Sequence, residues 1–386
     1  MWAALPMIIH LDADAFYASC EQAADARLRG KVMAVGGNRR GIISSASYEA
    51  RKLGIYTPMP TASALRLVPN LILVRSHFDR YEWFSRRMFE FIEDLTPWVE
   101  RTSIDEGYFR LHDGNAQDPL EVARQLQQTI ERRLRVTVSF GVASNKLISQ
   151  IVSKLKKPRG LAIVPQGQEA DFLAPLDVKW LPGVGGRTEG SLKGAGFHRI
   201  EQVRDASQAR LASVVGDYAP RLQQYAAGID ERSLVVERGE ALSYSHQETF
   251  NVNLTDRGAL ERTMKTLLDD LIRQVVDDDK SARTIAVRVR LDKMQDTERS
   301  ESLPEPSSLA EDFYPLIERL LDRAWDGRAS VRLAAVRLSN IHDGVIAGDL
   351  FTRAEKGKRL ALQKTMHDLQ RRFGENSIKR GHACED

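Results

Sequence analysis

Asp12 closes the apolar run Met7-Ile8-Ile9-His10-Leu11, and Asp105 and Glu106 stand side by side within Thr102-Ser103-Ile104-Asp105-Glu106-Gly107-Tyr108-Phe109. Carboxylates set among apolar and aromatic neighbours are costly to bury unless something positive compensates them. A divalent metal supplies that compensation. Two such ions, about 3.5–4 Å apart, share oxygen ligands, activate one oxygen and stabilise the leaving oxygen of an in-line displacement at phosphorus. Three acidic groups on neighbouring strands suit this chemistry. Taken singly, each has an ordinary alternative: Asp12 as a helix cap, Asp105 and Glu106 as surface or ion-paired side chains. Asp14, two residues past Asp12 in a turn, reads as structural.

Three further constellations bear on phosphate. Ser44-Ser45-Ala46-Ser47-Tyr48-Glu49-Ala50-Arg51-Lys52 offers hydroxyls and a guanidinium on one turn and a first helical turn, with Arg51 able to bind two oxygens at once and Lys157 able to add a point charge. A helix start with solvated basic residues would look the same in isolation. Leu181-Pro182-Gly183-Val184-Gly185-Gly186-Arg187-Thr188, with Ala195-Gly196 beyond, has the helix-hairpin-helix pattern. Its glycines let backbone N–H groups approach a DNA phosphate without reading sequence. Arg288 and Arg290 on one strand, and Arg332 and Arg337 on another, would line a sheet face that tracks phosphates, although Asp277-Asp278-Asp279 lie in the same region. His382 and Cys384 read as a polar terminus rather than a metal site.

The elements that must hold these residues follow from periodicity. A strand at Met7–Leu11 runs into a helix from about Ala15, so Asp12 sits at a strand end, where a side chain can face a cleft. Strands are expected at 32–35 and 41–45, with a helix at 47–54. Phe78, Tyr81, Phe84, Met88, Phe91, Ile92 and Leu95 recur at helical spacing and mark a core-facing stripe. A strand from Ser103 to Leu111, a helix at 119–134, a strand at 136–142, a helix at 146–156 stopped by Pro158, and a strand at 161–164 make an α/β layer. Short glycine-separated helices then run to about Gly228. Beyond Asp230, a helix, the alternating strand at 284–291, a helix near 313–325 and a last strand at 331–338 compose an α+β module. A polar, basic end with one helical stretch near 360–373 follows.

The 386 residues imply several domains, and 42% hydrophobic with 28% charged residues is the composition of a folded, water-soluble chain. A net charge of +3 does not by itself announce a nucleic-acid partner. Cys20 and Cys384, the only cysteines, offer no disulfide framework and suit a reducing compartment. With Asp12 interrupting the early apolar run, the chain reads as cytoplasmic.

Together these stretches resemble the Y-family lesion-bypass DNA polymerases, most closely the bacterial DinB type. The resemblance rests on residues 9–19, Tyr48-Glu49-Ala50-Arg51-Lys52-Leu53-Gly54-Ile55, Met59-Pro60, Ser103-Ile104-Asp105-Glu106, Gly141-Val142-Ala143-Ser144-Asn145-Lys146, Lys157-Pro158-Arg159-Gly160 and the hairpin glycines, all in family order. It implies an α+β right-hand architecture: a ferredoxin-like palm at 1–23 and 78–165, small fingers at 24–77, a helical thumb with the hairpin at 166–232, an α+β little finger at 240–341 and a tail at 342–386.

The resemblance also implies template-directed, low-fidelity addition of deoxynucleotides to a primer 3′-hydroxyl, without proofreading, on damaged templates. Asp12 and Asp105 would hold two Mg2+ ions with the Ala13 carbonyl, Glu106 would serve the ion at the 3′-hydroxyl, and Ser45, Tyr48, Arg51 and Lys157 would bind the triphosphate. Tyr17, supported by Phe16, would be the steric gate against a 2′-hydroxyl. Gly183, Gly185, Gly186 and Arg187, with the four arginines above, would hold DNA. Primer-template, deoxynucleotide and a monomeric state are implied, along with a nucleoid location. Ala15, Cys20 and Gly107 depart from the residues usual in relatives. A sliding clamp would be met through Leu350 and Phe351, in a stretch lacking the usual glutamine. A catalytically silent DNA-binding scaffold and a cyclic-nucleotide synthase are the competing readings: the intact acidic triad opposes the first, the hairpin and final α+β module the second.

Overall fold

The computed structural model describes residues 7–37, 40–111, 118–237, 239–344, 353–374, 377–378 and 380–381. Apart from a short stretch at 38–40, the chain divides at residue 238 into two compact units.

In the first unit, β1 (Ile8–Ala13) leads to α1 (Phe16–Ala24) through Ala15, whose backbone is left-handed at φ 47°. Strands β2 (Met33–Gly36) and β3 (Ile43–Ala46), helices α2 (Tyr48–Lys52) and α3 (Thr61–Leu67), and β4 (Ile72–Val74) form a small module in the order β3-β2-β4. Its core sets the alanines Ala34, Ala46, Ala50 and Ala64 among Ile43, Ile55, Met59, Val68 and Leu71. Then come α4 (Phe78–Glu93), β5 (Val99–Arg101), β6 (Glu106–Arg110), α5 (Pro119–Leu134), β7 (Val138–Ala143), α6 (Lys146–Leu155) and β8 (Leu161–Ile163).

These strands make a sheet of order β5-β6-β1-β7-β8, with β1 antiparallel to both neighbours. Strand alternation divides β1 between two faces. Ile9, Leu11 and Ala13 enter the core with Tyr81, Met88, Phe109, Ile130 and Phe140. His10 turns the other way, its Nδ1 2.7 Å from Ser153 Oγ of α6, and Asp12 shares its parity. Helix α6 reaches the sheet this closely because β7 carries Gly141: a Cβ there would lie 2.0 Å from the Ser149 carbonyl oxygen. The Asn145 side chain caps α6 by accepting from Ile148 N–H at 3.0 Å, and Asp230 accepts from Leu147 N–H at 3.0 Å.

Helices α7 (Glu169–Leu173), α8 (Gly186–Gly194), α9 (Ile200–Arg204), α10 (Gln208–Val215) and α11 (Ala219–Ala226) follow. They share a core with α6, in which Leu147 and Ile151 meet Leu173, Leu192, Phe197 and Leu222.

The second unit comprises β9 (Ser243–Leu254), α12 (Arg257–Asp277), β10 (Lys280–Leu291), β11 (Asp296–Ser307), α13 (Ala310–Ala324), β12 (Val331–Asp343) and α14 (Arg353–Phe373). Its antiparallel sheet runs β11-β10-β12-β9, with Leu260, Met264, Leu268, Phe313 and Leu320 of α12 and α13 packed on Ile285, Val287, Val289 and Val336. Among the described residues no helix is long and apolar enough to cross a membrane.

Several expectations need correction. The strand expected from Ser103 begins only at Glu106, because the Ser103 hydroxyl accepts from the N–H groups of Asp105 and Glu106 and holds Asp105 in a turn. Phe78 and Leu95 of the expected core stripe are 57% and 49% exposed, while Phe89, not singled out, is fully buried. The second unit has two strands beyond those expected. Both are edges: β9 buries only Tyr244 and Phe250, and β11 carries Pro304 and Pro306, which an edge strand tolerates because its outer N–H groups need no partner. The helix expected near 360–373 starts at Arg353.

Candidate active site

Asp12 and Glu106 are direct partners in the β1–β6 register, so their side chains leave the same face of the sheet. Asp105 reaches the same place through its backbone, its carbonyl accepting from Ala13 N–H at 2.9 Å. The Asp105 carboxylate accepts from Ser103 Oγ at 2.6 Å and acts on the Tyr17 hydroxyl. Asp14 is fully buried and held by Ser139 Oγ at 2.8 Å and Arg159 N–H at 2.8 Å, a structural role.

Two lysines that lie at the end of α6 and just beyond it answer these acids. Lys157 Nζ donates to Asp12 Oδ1 and, at 2.8 Å, to the Ala13 carbonyl, with Asp14 Oδ1 3.9 Å away. Lys154 Nζ lies 2.9 Å from Glu106 Oε2. Burial still pushes the Asp12 carboxyl up to about 6, with Lys157 pulling it down and Glu106 adding to the rise. His10, beneath them, is held well below its ordinary range by burial and by Lys154 and Lys157, so its ring stays neutral beside the two ammonium groups.

The donor set fits a hard divalent cation. Asp12 and the Ala13 carbonyl already grip a positive group through oxygen, and carboxylate and carbonyl oxygens are the ligands such ions select. Among the described residues, no three His, Cys, Asp or Glu side chains converge into a cage. Lys154 and Lys157 take the carboxylate oxygens that such a cage would use.

Of the expected phosphate ligands, Tyr48 is near enough to feel the charges of Asp14 and Asp12. Ser45, 5% exposed, accepts from Ala18 N–H at 3.3 Å through its Oγ. The Tyr48 hydroxyl oxygen is buried with no hydrogen-bond partner, and burial, then the Asp14 charge, hold the phenol above its ordinary range. Arg51 donates from Nε to the Ala46 carbonyl at 3.0 Å, and its guanidinium lies 5.0 Å from the Tyr48 ring centroid. Lys157 reaches the carboxylates rather than this group. Tyr17 stacks on Tyr81, centroids 4.4 Å apart and planes at 21°, with buried Phe16 5.7 Å away. Burial, then the Asp105 carboxylate, raise its phenol.

The hairpin glycines differ among themselves. Gly183 has φ +77°, and a Cβ there would lie 2.6 Å from the Tyr218 hydroxyl, which donates to the Pro182 carbonyl at 2.9 Å. Gly185 and Gly186, at the start of α8, face open space, and Arg187 is exposed.

In the second unit, Arg288 and Arg290 alternate on β10, and Arg337 is one strand over, opposite Ala286. Arg332 sits between Val331 and Leu333, where the β12 ladders shift register. Acids and amides claim much of this face: Arg290 pairs with Asp296 at 2.6 Å, Arg337 with Glu298, and Arg288 donates to Gln247 at 2.6 Å. Leu350 and Phe351 lie outside the described residues.

Lys154, Ser103, Ser139, Glu21 and Tyr81 were missed from sequence. Tyr81 was read only as part of the core stripe and Ser103 only as part of the acidic segment, while Lys154 left a trace in standing three residues before Lys157.

The impB/mucB/samB family pattern matches residues 11–154, and the C-terminal domain pattern of the same family matches residues 241–350. A protein named DNA polymerase IV from Opitutus terrae is 44% identical over 384 residues, 98% of this chain and 97% of that one. Among solved structures, a Y-family DNA polymerase chimera of Dbh and Dpo4 aligns over 88% of this chain and all of its own, at 26% identity and TM-score 0.76. An insertion ternary complex of Dbh DNA polymerase aligns over the same shares at 26% identity and TM-score 0.61. With Asp12 near the end of the central strand paired across the sheet with Glu106, and with a relative 44% identical over 98% of this chain, the protein belongs to the Y-family DNA polymerases of the DNA polymerase IV (DinB) type.

Proposed function

We propose that Asp12, Asp105 and Glu106, with the Ala13 carbonyl, hold two Mg2+ ions at the primer terminus of this low-fidelity, translesion DNA polymerase. The polymerase activity and its dependence on metal follow from family membership. The number of ions, their identity and the residue roles are our reading. It is carried by one observation: oxygens of Asp12 and Ala13 already hold a cationic group on the face that Asp12 shares with Glu106.

When bound, the ions lower the cost of forming the attacking 3′-oxygen and neutralise charge on the departing pyrophosphate. The protein's own groups then position the substrate. Lys157, released from Asp12, turns to the triphosphate, which Ser45 and Arg51 also bind and which gives the unpartnered Tyr48 hydroxyl an acceptor. Tyr17 lies against the sugar and excludes a 2′-hydroxyl. Gly185, Gly186 and Arg187 grip the duplex backbone, Gly183 shapes their turn, and the arginines of β10 and β12 track phosphates. The short, small-residue segment from Ser44 to Ser47 in the fingers leaves the nascent base pair loosely enclosed, which admits damaged templates. The enzyme acts as a monomer in the bacterial cytoplasm with the nucleoid, and the 350–351 region would dock a sliding clamp.

Primer extension with Mg2+ on damaged and undamaged templates tests the centre. Wild type extends both; Asp105→Ala extends neither. Extension by that variant at the wild-type rate would remove Asp105 from the metal site.

A further inference from the structure

Beneath Tyr17 lies a polar cluster that polymerisation chemistry does not use. Glu21, one helical turn beyond Tyr17 on α1, has a side chain only 2% exposed. Three donors of the first turn of α4 and the residue before it converge on its carboxylate. Oε1 accepts from the Tyr81 hydroxyl at 2.7 Å and lies 2.8 Å from His77 Nδ1; Oε2 accepts from Arg80. A buried carboxylate with three partners is expensive to disturb, because losing one leaves charge or donor unsatisfied. Tyr81 is fully buried, and its ring is the one on which Tyr17 stacks. Phe78 closes the group edge-on, 6.0 Å from Tyr17 and 5.8 Å from Tyr81. The hydroxyl of Tyr81 thus pins the far end of the platform that sets the tilt and depth of the Tyr17 ring.

We propose that Glu21 is a positioning residue for sugar selection: by fixing Tyr81 and the start of α4, it holds Tyr17 where a 2′-hydroxyl would collide. This rests on Tyr17 being the gate. A ring free to tilt away relaxes the exclusion without changing how the triphosphate is held, so the effect falls on the ratio between two nucleotides that differ by one oxygen.

The test is single-nucleotide insertion of dNTP and rNTP by the full-length enzyme, with Tyr17→Ala, Tyr81→Phe, Glu21→Gln and the Tyr81→Phe/Glu21→Gln double variant. The ratio of deoxy- to ribonucleotide kcat/KM should fall about 10-fold in each of the Tyr81 and Glu21 variants. In the double variant the fall should be no larger than in either alone, as for two residues acting through one contact. Loss of folded enzyme lowers both substrates equally and leaves the ratio unmoved, and Tyr81→Phe, which removes one oxygen and keeps the ring, carries the test if Glu21→Gln does not fold. Relaxed selection in Tyr17→Ala with an unmoved ratio in Tyr81→Phe would overturn the role of Glu21 and leave the gate standing. Unmoved selection in Tyr17→Ala would overturn the gate, and this inference with it.

Discussion

At the scale of single residues, Lys157 stands out for holding the two groups assigned to the metal while being assigned itself to the triphosphate. Both assignments stand if its ammonium keeps Asp12 compensated until ion and nucleotide arrive, because a buried carboxylate without a partner is costly. Lys157→Met should then tighten Mn2+ binding to the nucleotide-free protein about 10-fold, since ion and ammonium compete for the same oxygens. It should also raise the KM for dNTP. Electron paramagnetic resonance titration of Mn2+ reads the first effect and steady-state insertion the second; unchanged Mn2+ affinity would mean that Lys157 does not compete with the ion. Cys20 offers a separate check at this scale. Burial, then the Glu21 charge, push its thiol well above the ordinary range. Cys20 is fully buried, so maleimide reaches it only when the chain opens, and labelling of the folded protein should be far slower than that of the denatured chain. An unfolded chain ionises that thiol above about pH 8.5 while the folded chain does not, so this group makes stability fall as pH rises beyond that point. Mass spectrometry of the Cys20 peptide reads the labelling.

At the scale of elements, glycines decide which surfaces meet. A Cβ at Gly141 would stand 2.0 Å from the Ser149 carbonyl oxygen, so Gly141→Ala must lift α6, with Lys154, off the sheet that carries Asp12. A cost of about 3 kcal/mol or more is expected, read as a lowered denaturant midpoint. Gly185→Ala faces open space and should leave the midpoint unchanged while weakening duplex binding, if backbone approach to phosphate is its task. Gly107 is similarly committed: a Cβ would lie 2.7 Å from the Glu100 carbonyl oxygen. Strands buried on both faces, such as β1 and β7, were legible because each is a short, largely apolar run bounded by turn residues. Edge strands β9 and β11 were not, since an edge with little core contact carries no apolar period. Asp12, Asp105 and Glu106 could be picked out by type and neighbours. Their partnership with Lys154 and Lys157 could not, because helix α6 brings those residues back across the sheet only in the folded chain.

At the scale of the whole molecule, a chain with a net charge of only +3 must hold a polyanion, so the placement of charge matters more than its sum. The open sheet face of the second unit shows how finely this is set. Its arginines are matched with Asp296, Glu298 and Gln247, which limits how many phosphates they can neutralise. Removing an acid there should strengthen DNA binding, the reverse of what removing an arginine does. Glu298→Gln frees Arg337 for phosphate, and the plot of log affinity against log salt should steepen by roughly 1 as one more counterion is released. Arg337→Ala should flatten the wild-type slope little, because that guanidinium is largely engaged with Glu298, and should cancel the gain when combined with Glu298→Gln. Fluorescence anisotropy on a primer-template across a salt series reads all three. A Glu298→Gln slope equal to wild type would mean that Arg337 does not reach the duplex.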